Sequence, residues 1–209
     1  MDLTIAGFMG LATEHLRHEP PEFTDSLANP RGDHTLDAIP LIHPLDPKSA
    51  AVLVPVVMRD EPTLLFTERS SKLRQHSGQI AFPGGRVDPT DPSIAAAACR
   101  EAEEEIGLES RHIAVLGYLD AYLSTTNYLV MPVVGAVTPG YTLTLNPHEV
   151  AHTFEVPLEF LMNPRHHELH SREWKGRLRR FYAIPYEEHY IWGVTAGIVR
   201  NLYERLYPS

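Results

Sequence analysis

Residues 65–108 read LFTERSSKLRQHSGQIAFPGGRVDPTDPSIAAAACREAEEEIGL, and the rest of the chain is interpreted from this stretch. A short apolar run leads through a glycine pair into an alanine-rich segment that ends in four carboxylates, Glu101, Glu103, Glu104 and Glu105. Like charges four positions apart on a helix, such as Glu101 and Glu105, destabilise it by about 0.2–0.5 kcal/mol. The helix dipole also disfavours negative charge near the C-terminus. This concentration of carboxylates therefore indicates a compensating cation.

The spacing places three of these carboxylates together. At about 100° per residue, Glu101, Glu104 and Glu105 fall within an arc of roughly 100°, whereas Glu103 points to the opposite side. Hard divalent cations such as Mg²⁺ prefer oxygen ligands and complete their coordination with water and substrate phosphates. We therefore predict a metal site with Glu101 and Glu105 as direct ligands and Glu104 as the third candidate. A solvated acidic helix face is the alternative.

The ends of this helix can also be predicted. Asp91 followed by Pro92 matches an N-cap and a first helical residue, so the helix is expected over residues 92–106. Gly107 is then its left-handed C-terminal residue. In this interpretation Asp91 is a cap and not a metal ligand, and Arg100 orients the glutamates or neutralises part of their charge.

Apolar runs elsewhere predict strands before and after this helix. Residues 50–57 are continuously apolar and indicate a buried strand, which a turn joins to a second strand at residues 63–67. Pro132 suggests an edge strand or a bulge. Residues 194–206 predict a closing helix. Further strands are expected at residues 80–82, 113–119, 128–136, 149–154 and 179–184, with a short helix at residues 157–162. This mixture predicts an α/β fold.

The composition suits one domain. With 209 residues and a formal net charge of −9, the chain can bury a sizeable core but lacks the basic excess of a nucleic-acid-binding protein. Cys99 is the only cysteine and is expected to be a small buried side chain. No segment approaches the roughly 20 apolar residues of a membrane span, and Asp2 stands where a signal peptide would be basic. We expect a cytoplasmic location, an N-terminal extension over residues 1–34 and the main domain over residues 35–209.

Residues 100–108, REAEEEIGL, match the pattern R-E-U-x-E-E-x-G-U, in which U is apolar, and Gly85 supplies the glycine that opens the motif. The chain therefore resembles the Nudix hydrolases. Asp91 stands where the family has a glutamate, and eight residues instead of seven separate it from Arg100. The resemblance implies an α/β/α sandwich with a mixed β-sheet between helices. It also implies a diphosphatase that uses Mg²⁺ or Mn²⁺.

The segment before the glycines narrows the resemblance. Residues 65–85 are similar to L-x-T-x-R-S-x3-R-x3-G-x3-F-P-G-G, the signature of the coenzyme A diphosphatase branch, and residues 147–158 and 191–196 resemble that branch too. The resemblance implies that coenzyme A, or a derivative, is cleaved to 4′-phosphopantetheine and adenosine 3′,5′-bisphosphate.

Glu149 is the candidate general base, because Nudix enzymes often bring a carboxylate from a later loop. The alternative is a surface residue ahead of a strand, and Glu155 and Glu159 are weaker choices.

Basic residues before the glycine pair are candidates for binding the substrate. Arg69 and Arg74 can hold phosphate through bidentate hydrogen bonds, unless they pair with helix carboxylates. Lys72 and His76 lie in the same segment. The backbone at Gly84 and Gly85 can approach the metal or the phosphates, because no Cβ intervenes.

Two other interpretations of the function stay open. One is a Nudix hydrolase of another nucleoside diphosphate derivative, such as ADP-ribose or NADH, and the other is a non-catalytic Nudix domain that binds a metabolite. The expected partner is a small-molecule substrate, without nucleic acid or membrane, and a homo-oligomer is compatible with the sequence. His166, His167 and His170 could suggest zinc, but a solvated loop over residues 163–176 is favoured.

Overall fold

A computed structural model describes residues 3–28, 30–37, 46–73, 77–174 and 176–208. The α-helices are α1 (Ile5–His15), α2 (Phe23–Ala28), α3 (Ile94–Ile106), α4 (Leu158–Leu161) and α5 (Val194–Leu206). Short 3-10 helices lie at Asp33–Asp37, Ser110–His112 and Pro164–His166. The strands are β1 (Lys48–Val57), β2 (Thr63–Arg69), β3 (Ile80–Ala81), β4 (Gly84–Arg86), β5 (Ile113–Tyr118), β6 (Tyr122–Leu123), β7 (Tyr128–Val137), β8 (Val150–Pro157), β9 (Glu168–Trp174), β10 (Arg177–Tyr186) and β11 (His189–Trp192).

Most of the strands form one mixed sheet. Its order is β3-β2-β1-β7-β5, with β4 beside β1, β6 beside β7 and β8 beside β2. β1 and β7 run parallel, whereas the other pairs of this sheet are antiparallel. A second, antiparallel sheet has the order β11-β10-β9.

Both faces of the mixed sheet are buried, which explains why residues 50–57 of β1 are continuously apolar. Successive residues of β1 point to opposite sides. Leu53 and Val57 pack in the core that contains α3, whereas Val54 and Val56 belong to the core that contains α1, α4 and α5. Helices therefore cover both sides of the sheet, and the predicted α/β/α arrangement is confirmed.

The prediction that Pro132 marks an edge strand or a bulge is wrong, because the register shift in the pairing with β7 lies in β5, between Val115 and Gly117. β7 lies inside the sheet, between β1 on one side and β5 and β6 on the other. The carbonyl of Pro132 accepts a hydrogen bond from Leu119, at the point where pairing passes from β5 to β6. Carbonyl and nitrogen of one strand residue face the same neighbour, so the missing N–H falls in this gap and no ladder bond is lost.

The prediction of a solvated loop over residues 163–176 is also wrong, because β9 forms within this segment. β9 pairs with β10 from Glu168↔Ala183 to Trp174↔Arg177. Its sequence, ELHSREW, has no apolar alternation, so backbone pairing with β10 forms this strand without a buried face of its own.

Helix α1 packs into the core rather than standing apart from it. Phe8, Ala12 and Leu16 are buried together with residues of α5. The division of the chain at residue 34 stays a prediction. Among the described residues, no helix is long and apolar enough to cross a membrane.

Candidate active site

Helix α3 begins at Ile94 and not at the predicted Pro92. The Ser93 hydroxyl accepts a hydrogen bond from the Ala96 N–H at 3.1 Å, so Ser93 is the N-cap and the predicted cap role of Asp91 is wrong. Serine and aspartate cap helices about equally well, which is why the sequence pattern misassigns the cap. At the other end, Gly107 adopts the predicted left-handed conformation with φ 69°.

Asp91 binds Arg100 instead. The two oxygens of Asp91 accept from Nε and Nη2 of Arg100, both at 2.9 Å, and this contact lowers the pKa of Asp91. Nη1 of Arg100 donates to Glu101 at 2.9 Å and to Glu104 at 3.0 Å. The guanidinium is therefore fixed by a carboxylate of the preceding loop, and it holds two carboxylates of the helix.

Glu105 is the buried carboxylate of α3. Its side chain is 5% exposed, with Oε1 4.0 Å from Nη1 of Arg69, and Oε2 accepts from the Gly84 N–H at 3.2 Å. Burial raises the pKa of Glu105 to about 7, and the charges of Glu149 and Glu101 contribute, although Gly84 and Arg69 act in the opposite direction. A buried carboxylate with this pKa marks a candidate functional site.

Glu101 lies directly against the glycine pair. A Cβ added to Gly85 would lie 2.5 Å from Oε2 of Glu101, so any side chain at position 85 would displace the carboxylate. A Cβ on Gly84 would lie 2.4 Å from the carbonyl oxygen of Ala51, because β4 pairs with β1 there. Burial raises the pKa of Glu101, while the hydrogen bond from Arg100 lowers it. The two glycines therefore allow β4 to approach the carboxylates of α3.

Glu149 belongs to the same electrostatic cluster, because its charge contributes to the raised pKa of both Glu101 and Glu105. Asn146 Nδ2 donates to Oε1 of Glu149 at 3.1 Å, and the backbone N–H of Asn146 donates to the carbonyl of Glu105 at 2.8 Å. The Ser70 N–H donates to the carbonyl of Glu149 at 2.8 Å. The loop that carries Glu149 is therefore tied to both α3 and the end of β2.

Asn146 is a site residue that the family motifs do not reveal. Its Oδ1 accepts from the His148 N–H at 3.1 Å, which is the local turn that asparagine favours. An asparagine three residues before a candidate base is a weak sequence signal, since the same turn occurs in many loops.

Of the two arginines predicted to bind substrate, Arg69 lies beside Glu105. Its Nε is shielded from solvent and has no hydrogen-bond partner in the described part of the protein. Arg74 and His76 lie outside the described residues, and Lys72 is exposed. Arg69 therefore keeps an N–H group that could donate a hydrogen bond to a phosphate oxygen.

The weaker base candidates do not join this cluster. Glu155 accepts from Nε and Nη2 of Arg59 at 2.7 and 2.6 Å, and from Tyr141 at 3.2 Å. The contact with Arg59 lowers the pKa of Glu155, so this carboxylate holds neighbouring loops and strands together. Glu159 is exposed on α4. Cys99 lies on α3, and burial raises the pKa of its thiol, which disfavours a nucleophilic role.

The three clustered histidines have separate partners. His166 contacts the carbonyl of Phe160 at 2.9 Å, and His167 contacts the carbonyl of Leu161 at 2.7 Å. His170 contacts Glu168 at 2.6 Å. Within the described ranges, no group of three or more His, Cys, Asp or Glu side chains is arranged to hold a metal ion.

The carboxylates of α3 nevertheless fit a hard divalent cation. All the donors are oxygens, which such cations prefer. Glu105 is buried and Glu101 is half-buried, both have raised pKa values, and a cation would stabilise their charged forms. Arg100 donates to one oxygen of Glu101 and to one oxygen of Glu104.

This arrangement is an α/β fold in which carboxylates of α3 and two arginines gather beside a glycine turn. Residues 47–176 match the NUDIX domain. The chain is 45% identical over 159 residues to the uncharacterized Nudix hydrolase NudL of Photorhabdus laumondii, covering 76% of this chain and 85% of that protein. It is 46% identical over 160 residues to the protein of the same name from Shigella flexneri, covering 76% and 83%. The crystal structure of DR0079 from Deinococcus radiodurans is 17% identical with a TM-score of 0.49, over 75% of this chain and 83% of that one.

The chain therefore belongs to the Nudix hydrolase family, and the resemblance of its central segment to that family is confirmed. Members of this family are pyrophosphohydrolases that act on phosphorus-containing anhydrides. Their substrates are nucleoside diphosphate derivatives, and they generally use divalent metal ions.

Proposed function

We propose that the protein hydrolyses the diphosphate bond of coenzyme A, or of a derivative, to 4′-phosphopantetheine and adenosine 3′,5′-bisphosphate. The observation that carries the reaction is the buried Glu105 next to Glu101, against Gly84 and Gly85. The choice of substrate is supported by the signature of the coenzyme A diphosphatase branch in residues 65–85. The partner is thus a small molecule, and we expect the reaction in the cytoplasm.

Glu101 and Glu105 would hold the cation, Mg²⁺ or Mn²⁺, with Glu104 as a further ligand. Bound there, the cation supplies positive charge to the phosphate oxygens as the diphosphate bond breaks. Arg100, which Asp91 fixes, sets the orientation of the Glu101 carboxylate. Asp91 therefore acts through Arg100, as a residue that positions the guanidinium.

Glu149 would accept the proton of the attacking water. In the described structure Asn146 holds Oε1 of Glu149, and no protein group is recorded on Oε2. An oxygen that can accept a proton is what a general base requires. Glu155 does not meet this requirement, since Arg59 engages both of its oxygens.

Arg69 would bind a phosphate of the substrate. Its guanidinium is 4.0 Å from Glu105, so a phosphate at the carboxylates is within its range. Its unpartnered Nε, together with an Nη group, offers the planar pair of donors that suits a phosphate. Arg74 stays a candidate for the same role from the sequence.

ADP-ribose and NADH are the rival substrates, because both contain a nucleoside diphosphate. A metabolite-binding domain without activity is the rival of another class. The complete set of Arg100, Glu101, Glu104 and Glu105 favours catalysis over that rival, since binding alone does not need a buried carboxylate with a raised pKa.

The test is to incubate the protein with coenzyme A, ADP-ribose or NADH in the presence of Mg²⁺, Mn²⁺ or EDTA, and to identify products by mass. Metal-dependent release of 4′-phosphopantetheine, well above the turnover of the other compounds, is expected. Preference for ADP-ribose or NADH would overturn the substrate assignment while keeping the reaction type. No turnover of any compound would favour the binding domain.

Single substitutions in and around α3 separate catalysis from folding. Glu149→Gln is expected to lower kcat by about 100-fold or more, which is the range that general acid–base groups contribute. Glu105→Gln removes a proposed metal ligand and is expected to lower kcat by at least as much. Glu103→Gln is the matched control, because Glu103 is exposed on the other side of α3. Unchanged turnover in Glu105→Gln would refute the assigned chemistry.

A further inference from the structure

The second sheet carries a group of aromatic and basic side chains on one face. Side chains of paired residues lie on the same side of a sheet, and every second residue along a strand shares that side. His170 and Arg172 of β9 pair with Phe181 and Arg179 of β10. Trp192 and Tyr190 of β11 pair with Ala183 and Pro185 of β10. The side chains of interest on this face, here called the arginine–aromatic face, are Glu168, His170, Arg172, Arg179, Phe181, Tyr190 and Trp192.

The aromatic part of this face is ordered and partly open to solvent. Phe181 and Trp192 have ring centroids 5.4 Å apart at 60°, and His170 lies 6.2 Å from Phe181 at 67°. Nδ1 of His170 contacts the Tyr190 hydroxyl at 2.7 Å, and Nε2 contacts Glu168 at 2.6 Å. Tyr190 is 41% exposed. Held, partly exposed rings of this kind provide a surface on which a nucleobase can stack.

The basic part of this face forms no close ion pair among the described residues, although the charge of Arg179 acts on Asp33 and Asp37. Arg172 and Arg179 are directly opposite each other on adjacent strands, an arrangement that like charges disfavour. No ion pair with a carboxylate is recorded for either of them in the described part of the chain, although acidic residues outnumber basic ones 27 to 18. Asp37, whose pKa Arg179 helps to lower, is already bound by the backbone and side chain of Arg180.

Arg179 has a further unused donor. Its Nε is shielded from solvent and has no hydrogen-bond partner among the described residues. Two opposed guanidiniums with free donors match a phosphate group, which can accept from both and neutralise their repulsion. A phosphate beside a stacking surface is the chemistry of a phosphorylated nucleoside.

The position of the second sheet connects this face to the candidate active site. β11 packs against β3, the strand that leads into Gly84 and Gly85. The Thr195 hydroxyl, just after β11, donates to the carbonyl of Ile80 in β3 at 3.0 Å. The second sheet is thus anchored to the strand that enters the active-site turn.

We propose that the arginine–aromatic face binds the phosphorylated adenosine end of the substrate. The adenine would stack on Phe181 and Trp192, and the 3′-phosphate would lie between Arg172 and Arg179. This inference rests on the proposed cleavage of coenzyme A. It would also explain selectivity, because ADP-ribose and NADH lack a 3′-phosphate.

The kinetic test compares coenzyme A with 3′-dephospho-coenzyme A. Arg172→Gln and Arg179→Gln are each expected to raise KM for coenzyme A by about tenfold, as the loss of one charge-assisted hydrogen bond does. KM for the dephosphorylated substrate and kcat for both should not change. Arg165→Gln is the matched control, because Arg165 is exposed in the 3-10 helix that precedes β9. Equal KM values for coenzyme A in the wild type and both variants would overturn the proposal.

A binding test without turnover separates this site from the proposed reaction. Calorimetry in EDTA with adenosine 3′,5′-bisphosphate and with 5′-AMP should show tighter binding of the bisphosphate, and Arg172→Gln should reduce the difference by about tenfold. If coenzyme A is not hydrolysed but this preference holds, the reaction is refuted and the binding face stands. If coenzyme A is hydrolysed but the bisphosphate binds no better than 5′-AMP, the binding face is refuted and the reaction stands. Phe181→Leu keeps an apolar side chain but removes the ring, so it should lower the affinity for both ligands by the same factor.

Discussion

Replacing Glu105 by glutamine should make the metal-free protein more stable while abolishing its activity. Glutamine has the same shape, and its carbonyl can still accept the hydrogen bond from Gly84. It carries no charge at any pH, whereas the buried carboxylate must ionise as the pH rises. The substitution therefore removes the cost of a buried charge without leaving a cavity.

The magnitude follows from the pKa of Glu105, which burial raises from the ordinary 4.5 to about 7. A pKa that is higher in the folded than in the unfolded protein contributes stability below pH 4.5, and this contribution is lost as the pH rises through about 7. Each pKa unit corresponds to about 1.36 kcal/mol, so the wild type should lose about 3 kcal/mol between these limits. For a chain of this size that is about 6–12 °C in Tm.

The assay is thermal unfolding of the wild type and Glu105→Gln in EDTA, at pH 4.5 and at pH 8. We expect similar Tm values at the lower pH and a higher Tm for the variant at pH 8. Saturating Mg²⁺ or Mn²⁺ should then stabilise the wild type alone, by about 2.7 kcal/mol when the metal exceeds its Kd 100-fold. Glu103→Gln should behave as the wild type in every condition.

Two results would refute this reasoning. If Glu105→Gln has a lower Tm than the wild type at pH 8 in EDTA, the carboxylate is ionised and stabilising there, and its raised pKa is wrong. If added metal stabilises the variant as much as the wild type, Glu105 is not a metal ligand.

Three further substitutions have distinct expected outcomes. Gly85→Ala puts a Cβ 2.5 Å from Oε2 of Glu101, and misplacing this carboxylate should lower kcat by about 100-fold; metal-dependent turnover at near-wild-type rate would show that Glu101 is not a ligand. Asn146→Ala removes the hydrogen bond to Glu149. We therefore expect kcat to fall by about tenfold, KM to stay unchanged and the pH profile of kcat to shift. A rise in KM alone would indicate that Asn146 contributes to substrate binding instead. Ser93→Ala removes the α3 cap and should cost about 1 kcal/mol in denaturant unfolding without changing kcat/KM; a kinetic defect would mean that the cap also positions the site.

The elements with two buried faces could be predicted from the sequence. Residues 50–57 of β1 and most of β7 are apolar because helices cover both sides of the sheet. α5 has the predicted bounds, since apolar residues recur at helical spacing. β9 could not be predicted in this way. Its sequence has no alternation of apolar and polar residues, so the strand forms through its backbone pairing with β10.

The residues that bear charge could be identified from the motif, but their pairing could not. By residue type alone, Asp91 and Ser93 are equally good N-caps. The choice between them depends on Arg100, nine positions after Asp91, which reaches back to bind it. Asn146 is further from the motif, and its contact with Glu149 depends on how the loop is tied to α3. Such contacts are set by tertiary structure, which spacing along the chain does not record.

In the proposed reaction, the small residues around the site are as necessary as the glutamates. Five carboxylates surround two guanidiniums and leave an excess of three negative charges if all are ionised: Asp91, Glu101, Glu104, Glu105 and Glu149 around Arg69 and Arg100. One divalent cation would reduce this excess to one, but only if the carboxylates reach it together. They reach one another because Ala98 and Ala102 of α3 are fully buried against the sheet, and because Gly84 and Gly85 bring β4 within contact of Glu101 and Glu105. A larger side chain at any of these four positions would move the helix or the strand away. Glu105 would then lose its hydrogen bond from Gly84 and its place beside Glu101 in the proposed cation site.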